Sequence, residues 1–524
     1  MRTRARAARR TGLSVVADKV AGMARIAVIG AGMGAMAAAA RLAVAGHRVV
    51  VYERTETYGG AVRRFERDGF RFDTGPGLLT LPAVYRDLFL KTGRKPLEDC
   101  VELVQVDPSS RHVFADGTEV SLPNASRAGV VAALDQALGA GAGERWGDFL
   151  VRAREAWDRT RRPLLEEPLW PNWEVLVEKE PYPGTRYKRL LRTHRVVKLF
   201  EIGRHELRDP RLTQLLEGYA LAYGVDPGIA PASAAVLPYM EHAFGTWYVR
   251  GGVRELARAV YERCLERRVE FVFGAEVVRV LEKDGRAAGV ELADRTVAEA
   301  DLVVGAGPWR LGGLLPDREL YGSGDVPPDP EDRCPGRVVV CLALRGARES
   351  GAVHRTVVHS ADADGDLDLF RHGMLPDLPQ VVVDRPDDPA LRPDAEHESV
   401  VLTATVPSAA EYDWAAPGAA DAFADRLVAA AERAVPGLRE RVLWREVRTP
   451  LDTERETGAT GGAVPPPALA GAEGVLHPAN TTAVPGLFAV GGWSHPGGGL
   501  PHAGMSGALV AGLIVEGPEF RGSQ

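Results

Sequence analysis

The chain has 524 residues with ordinary globular composition, 45% hydrophobic and 26% charged, enough for about three domain-sized units or a pair of interleaved ones. Its formal net charge of −7 argues against a nucleic-acid partner, which needs a basic footprint. Cys100, Cys264, Cys334 and Cys341 form no CxxC pair, which argues against a structural zinc site or a disulfide scaffold and fits a reducing cytoplasm.

In chain order, Arg2, Arg4, Arg6, Arg9 and Arg10 precede the first acid, Asp18. Residues 1–23 are expected to be a disordered basic extension. Arg9-Arg10 resembles an export signal, but no apolar segment follows it. Ala24–Ile29 then reads as a short buried strand, followed by Gly30-Ala-Gly-Met-Gly-Ala35 and an alanine-rich helix to Ala45. Arg48–Glu53 is a second strand, which completes a βαβ unit. Asp116-Gly117 reads as a hairpin turn between 111–115 and 119–122. Residues 143–245 look mainly helical, with a basic amphipathic helix over 181–200 that suits an anionic membrane surface. Further on come a helix over 252–268, strands at 270–273 and 300–305, and a Pro- and Asp-rich loop at 322–336. The runs 337–344, 380–383 and 399–406 suggest an antiparallel sheet. A helix spans 419–434, a strand 486–492, and a last helix starts at Pro501. No stretch reaches the ~18 apolar residues of a membrane span.

The first chemical signal is Gly30-x-Gly32-x-x-Ala35. Gly30 permits the strand-to-helix turn, Gly32 lets backbone approach a pyrophosphate, and small Ala35 lets helix and strand pack. The pyrophosphate then faces the free N–H groups of the helix start. Glu53 lies about 20 residues past Gly32, where an acid bonds ribose hydroxyls and repels a 2′-phosphate. Gly59-Gly60 brings a second glycine pair to the dinucleotide, with Arg54 and Arg63 beside it. Asp73, in Phe70-Arg-Phe-Asp-Thr-Gly-Pro-Gly77, fits either a turn cap or a catalytic acid.

The series Gly30…Glu53…Gly59-Gly60…Gly69-Phe-Arg-Phe-Asp-Thr-Gly-Pro76 resembles the phytoene desaturase family of FAD-dependent oxidoreductases, within the group holding amine oxidases and Rab GDP-dissociation inhibitors. Phe244-Gly-Thr-Trp-Tyr-Val-Arg-Gly-Gly252 and Gly486-Leu-Phe-Ala-Val-Gly-Gly-Trp-Ser-His-Pro-Gly-Gly-Gly-Leu-Pro501 are similar to later motifs of that family. The resemblance implies an α/β fold in which a Rossmann-type FAD domain (24–100, 250–310 and 455–520) interleaves with an α+β substrate domain (101–249 and 311–454). It places Val277 at the adenine, Gly491 and Gly492 at the ribityl–phosphate chain, and Pro501 at a helix start facing the flavin N1–C2=O edge, where reduced flavin carries negative charge.

It also implies desaturation of a largely apolar, isoprenoid or polyene-like substrate by hydride transfer to flavin N5. The alternatives are a flavin-dependent isomerase or saturase, an oxidase of an amine or specialised metabolite, and a non-catalytic lipid-binding protein like the GDP-dissociation inhibitors. His502, His495 and Glu241 are the candidate catalytic groups, with His242 beside the last. His502 stands where carotene desaturases are expected to carry an apolar residue. No second strand–GxGxxG–helix unit is found, so no nicotinamide domain is expected and oxygen or a quinone would take the electrons. No metal site is expected.

Overall fold

The computed structural model describes residues 22–189, 192–315, 318–321 and 334–522. The basic extension expected over 1–23 and the loop at 322–336 therefore lie almost wholly outside the described residues.

A five-stranded parallel sheet carries the βαβ unit. Its order is Glu270–Val272, Arg48–Tyr52, Arg25–Ile29, Leu302–Ala306 and Leu487–Val490. Residues 26–29, 302–305 and 487–490 are short apolar runs buried on both faces, as a parallel sheet requires, while the edge strand Glu270–Val272 is largely exposed. Side chains alternate between two cores. Ile26, Val28, Leu302, Val304, Phe488 and Val490 pack under the helices Met33–Val44, Arg254–Glu266 and Leu500–Val515. Ala27, Ile29, Val303, Leu487 and Ala489 pack instead against a three-stranded antiparallel ribbon, Val277–Lys283, Arg286–Leu292 and Val297–Glu299.

The alanine-rich helix has a packing reason. Met33–Val44 and Leu500–Val515 approach so closely that a Cβ on Gly507 would stand 2.4 Å from the Gly34 carbonyl oxygen and 2.8 Å from the Ala37 Cβ. Larger side chains would force the two helices apart.

The second layer is a seven-stranded sheet ordered Val442–Arg448, Gly336–Arg345, His397–Val406, Val381–Asp384, Arg355–Val358, Ser110–Val113 and Glu119–Leu122. It is antiparallel except where Arg355–Val358 meets Ser110–Val113. The hairpin read around Asp116-Gly117 forms, with Gly117 at φ +84°. One face of the sheet is aliphatic: Val338, Val340, Leu342, Val381, Val383 and Leu402 pack against Phe423 and Leu427 of the helix Ala419–Ala431. The opposite face carries Arg337, Arg355, Asp384, Thr403 and Thr405 at the alternate positions, toward a cavity. Helices Ala142–Arg161, Pro210–Ala222 and Val236–Phe244 cover it with their own apolar core.

One expected element is wrong. The basic stretch 181–200 is not an amphipathic helix; Arg186–Arg189 and Arg192–Arg195 pair as an antiparallel hairpin. Period two wins because it stacks Tyr187 on His194 across the strands and on His205 of the next element, with ring centroids 5.6 and 3.8 Å apart. No helix among the described residues is long and apolar enough to cross a membrane.

Candidate flavin and substrate site

A cavity of about 720 Å³ runs from the N-terminus of Met33–Val44, past the glycine loop at 491–499, onto the polar face of the seven-stranded sheet. Its dinucleotide end is built from the first βαβ unit. Gly30 has φ +88°, a conformation that favours glycine. Gly32 caps the helix with no side chain over its first-turn N–H groups, so they remain available to an anion. Gly32, Gly34 and Ala35 all line the cavity.

Glu53 is buried, and its carboxylate accepts from the Ala31 N–H at 2.7 Å, the Thr55 N–H at 2.8 Å and the Thr55 hydroxyl at 2.9 Å. These three donors lock the acid to the glycine turn. A carboxylate offers about four acceptor sites, so one is left for a ribose hydroxyl.

Gly60 lies against Gly32, where a Cβ would come within 3.1 Å of the Gly32 Cα. The Gly59-Gly60 loop is braced by Arg254, which donates to the carbonyls of Tyr58 and Val62 and lies 4.0 Å over the Tyr58 ring. Arg63 bonds the Gly60 and Glu456 carbonyls, and Arg54 bonds the Arg455 carbonyl; both support the rim instead of lining the cavity. A cation that does line the cavity near this end is Arg310, which sequence reading missed. Its nearest acid is Glu276 at 3.8 Å, and burial together with neighbouring Arg54 lowers its pKa, so it suits a phosphate.

Gly34 was missed as well. A Cβ there would meet the Ala503 carbonyl oxygen at 2.8 Å and the Gly491 Cα at 3.0 Å. The reason is tertiary, since the last helix and its loop press on the first helix at this point. Asn480 knots that loop, donating to the carbonyls of Ala489 and His495 and to the Ser506 hydroxyl, which in turn accepts from the Gly491 N–H. Gly491, Gly492 and Pro501 line the cavity, and the helix Leu500–Val515 opens on it. Tyr85 fixes that opening by donating to the Leu500 carbonyl at 2.8 Å. Val277 is buried in the antiparallel ribbon and does not line the cavity.

The candidate catalytic groups separate. His502 faces the cavity beside Pro501, with its Nδ1 buried and unbonded among the described residues. Burial, with His477 and His495 nearby, lowers its pKa to about 3, so it is neutral at physiological pH. His495 lies outside the cavity wall; its Nε2–H donates to the Glu167 carbonyl at 3.0 Å and holds the loop. Glu241 does line the cavity, but in another group. It lies 3.8 Å from Arg355, which also bonds Asp384 at 3.2 Å. Burial pushes the Glu241 carboxyl up, against the pull of Arg355. His242 points away, among the rings of Trp146 and Tyr219. Asp73 also lies outside the cavity wall and caps the helix Arg254–Glu266, accepting from the Val253 N–H at 2.6 Å.

A family model, flavin-containing amine oxidoreductase, matches residues 36–317. The chain is also 32% identical to hydroxyneurosporene desaturase of Cereibacter sphaeroides, over 94% of this chain and 97% of that one. The chain belongs to the flavin-containing amine oxidoreductase family. It is likewise 30% identical to 4,4'-diapolycopene oxygenase of Methylomonas sp., over 94% of this chain and 98% of that one. In fold it is similar to an oxidoreductase from Methanosarcina mazei, with a TM-score of 0.62 at 16% identity, covering 93% and 99% of the two chains. As a member of this family the protein is a flavin-dependent oxidoreductase with FAD as its cofactor, and the residues present fit that group. The glycine cradle, the uncapped helix start and Arg310 offer donors to a pyrophosphate, and Glu53, clamped behind the glycine turn, offers an acceptor to a ribose hydroxyl.

Proposed function

We infer that the protein removes hydrogen from neighbouring carbons of a long, largely apolar isoprenoid or polyene-like chain, leaving a C=C bond. The observation that carries this reading is a continuous cavity that joins the dinucleotide cradle to a long chamber between two layers of the fold. The names of the relatives, a carotenoid desaturase and an oxygenase, support it.

Bound FAD supplies the two-electron acceptor. The chain's own residues position and exclude. Helix Pro210–Ala222, with Gly218, Tyr219 and Ala222 on the cavity, and strand residues Val339, Val357 and Val382 form a wall that keeps water from the reacting carbons. The N-terminus of Leu500–Val515 offers a partial positive charge where the flavin is expected to gain electrons. Neutral His502 adds no competing cation there. Oxygen or a quinone would then take the electrons. The exposed basic strands of the 186–195 hairpin would assist contact with an anionic membrane that holds a lipophilic substrate.

Anaerobic titration tests the reaction class. Isoprenoid polyenes are expected to bleach the flavin absorbance, and primary amines are not. Bleaching by amines alone would overturn the reading.

A further inference from the structure

The chamber wall is more polar than a hydrocarbon chain requires. Arg337 stands on the cavity face of Gly336–Arg345 and is closely surrounded by protein atoms, yet it retains access to the cavity. Among the described residues its hydrogen-bond partner is the Ala222 carbonyl, to which it donates. No carboxylate among the described residues pairs with it; its charged neighbour is Arg355, another cation. Arg355, by contrast, is satisfied by Asp384 and Glu241. The Tyr223 hydroxyl, bonded to Thr80, lies close by on the same wall.

In the absence of substrate, water in the cavity can solvate the Arg337 guanidinium. A hydrocarbon filling the chamber would strip that water and leave the charge unpaired, which is costly in a low-dielectric site. A chain ending in an acceptor oxygen would replace the water instead, because the guanidinium keeps several N–H donors free in a planar fork. Val339, Val357 and Val382, on the same face of the sheet, would hold the apolar part of the same ligand.

We propose that this protein selects an isoprenoid chain with an oxygen-bearing terminus, carboxylate or carbonyl, and that Arg337 is the residue that recognises it. This rests on the desaturase reading above and narrows it to oxygenated substrates.

The test is titration of the full-length FAD-loaded protein with three chains of one skeleton, farnesoate, farnesal and farnesene, followed by the perturbation of the flavin spectrum. Wild type is expected to bind the better of the two oxygenated probes about 10- to 100-fold more tightly than farnesene. Which of the two binds better identifies the terminus as carboxylate or carbonyl. In Arg337→Leu, with FAD content and Tm as in wild type, that preference is expected to vanish while farnesene binds at least as well as before. Equal binding of all three probes by wild type would overturn the proposal without any variant. So would an Arg337→Leu that weakens all three alike. If none of the probes binds, the isoprenoid reading itself fails, and this inference with it. If farnesene alone binds, only this inference fails.

Discussion

Gly34→Val yields a folded protein that purifies without FAD. A side chain at Gly34 has no flexible neighbour to displace, because its nearest atoms are the Ala503 carbonyl oxygen and the Gly491 Cα, both backbone. Overpacking of this kind costs about 1–3 kcal/mol or more, and here the strain falls between the pyrophosphate-binding helix and the flavin loop. FAD affinity is therefore expected to fall by at least about 10- to 100-fold. Gly34→Ala, with one methyl group, is expected to lose less. Absorbance of the purified variants measures flavin content, and circular dichroism shows whether the fold survives. Full flavin occupancy in Gly34→Val would contradict the packing described at this contact.

The second large effect is expected from Arg355→Met. Arg355 serves two carboxylates, Asp384 and Glu241, whose side chains are each 13% exposed. Methionine keeps the volume and removes the cation, which strands both acids. Removing one partner of a buried ion pair typically costs about 3–5 kcal/mol. The penalty depends on pH in a definite direction. Burial already raises the Glu241 carboxyl above its unfolded value, and loss of Arg355 raises it further. With a raised folded pKa, the native state holds protons that the unfolded state has released. The associated stability is present at acid pH and is lost as pH rises through the folded value. Thermal melts of the two proteins between about pH 5 and pH 8 should thus diverge as pH increases. A deficit that does not change with pH would mean that the acids are not stranded. Arg355→Lys should recover part of the loss, since it restores a charge without the fork.

The dinucleotide half of the site was legible because its reasons are local. Gly30, Gly32 and Glu53 follow one another through strand, turn and strand, and the acceptor role of Glu53 is set by donors two and twenty-two residues away. The strands at 337–344, 380–383 and 399–406 were legible from β-branched runs bounded by turns. Gly34 was not, because its need for a bare Cα comes from Ala503 and Gly491 at the other end of the chain. Arg310 was hidden for the same reason. It follows the C-terminal end of Leu302–Ala306, which reaches the cavity only once the parallel sheet has assembled.

The polar chamber wall had a signal that reading strand by strand does not use. Arg337-x-Val339 and Arg355-x-Val357-x-His359 repeat with period two, and each places a charged residue opposite an aliphatic face. Only the pairing of four strands shows that those charges share one wall. The 186–195 hairpin misled for a physical reason too. Its arginines and lysine satisfy a helical stripe when read with Leu190, Leu191, Val197 and Phe200, and also a two-residue alternation. The stacking of Tyr187 on His194 and His205 decides between them.

The claim that this flavoprotein removes hydrogen is tested most directly by the mass of its product. An oxygenated isoprenoid incubated with the FAD-loaded protein under labelled oxygen should lose two hydrogens for each new double bond and carry no label. A product that instead gains labelled oxygen, or that keeps the mass of the substrate with its double bonds rearranged, would contradict desaturation and point to oxygenation or isomerisation in the same cavity.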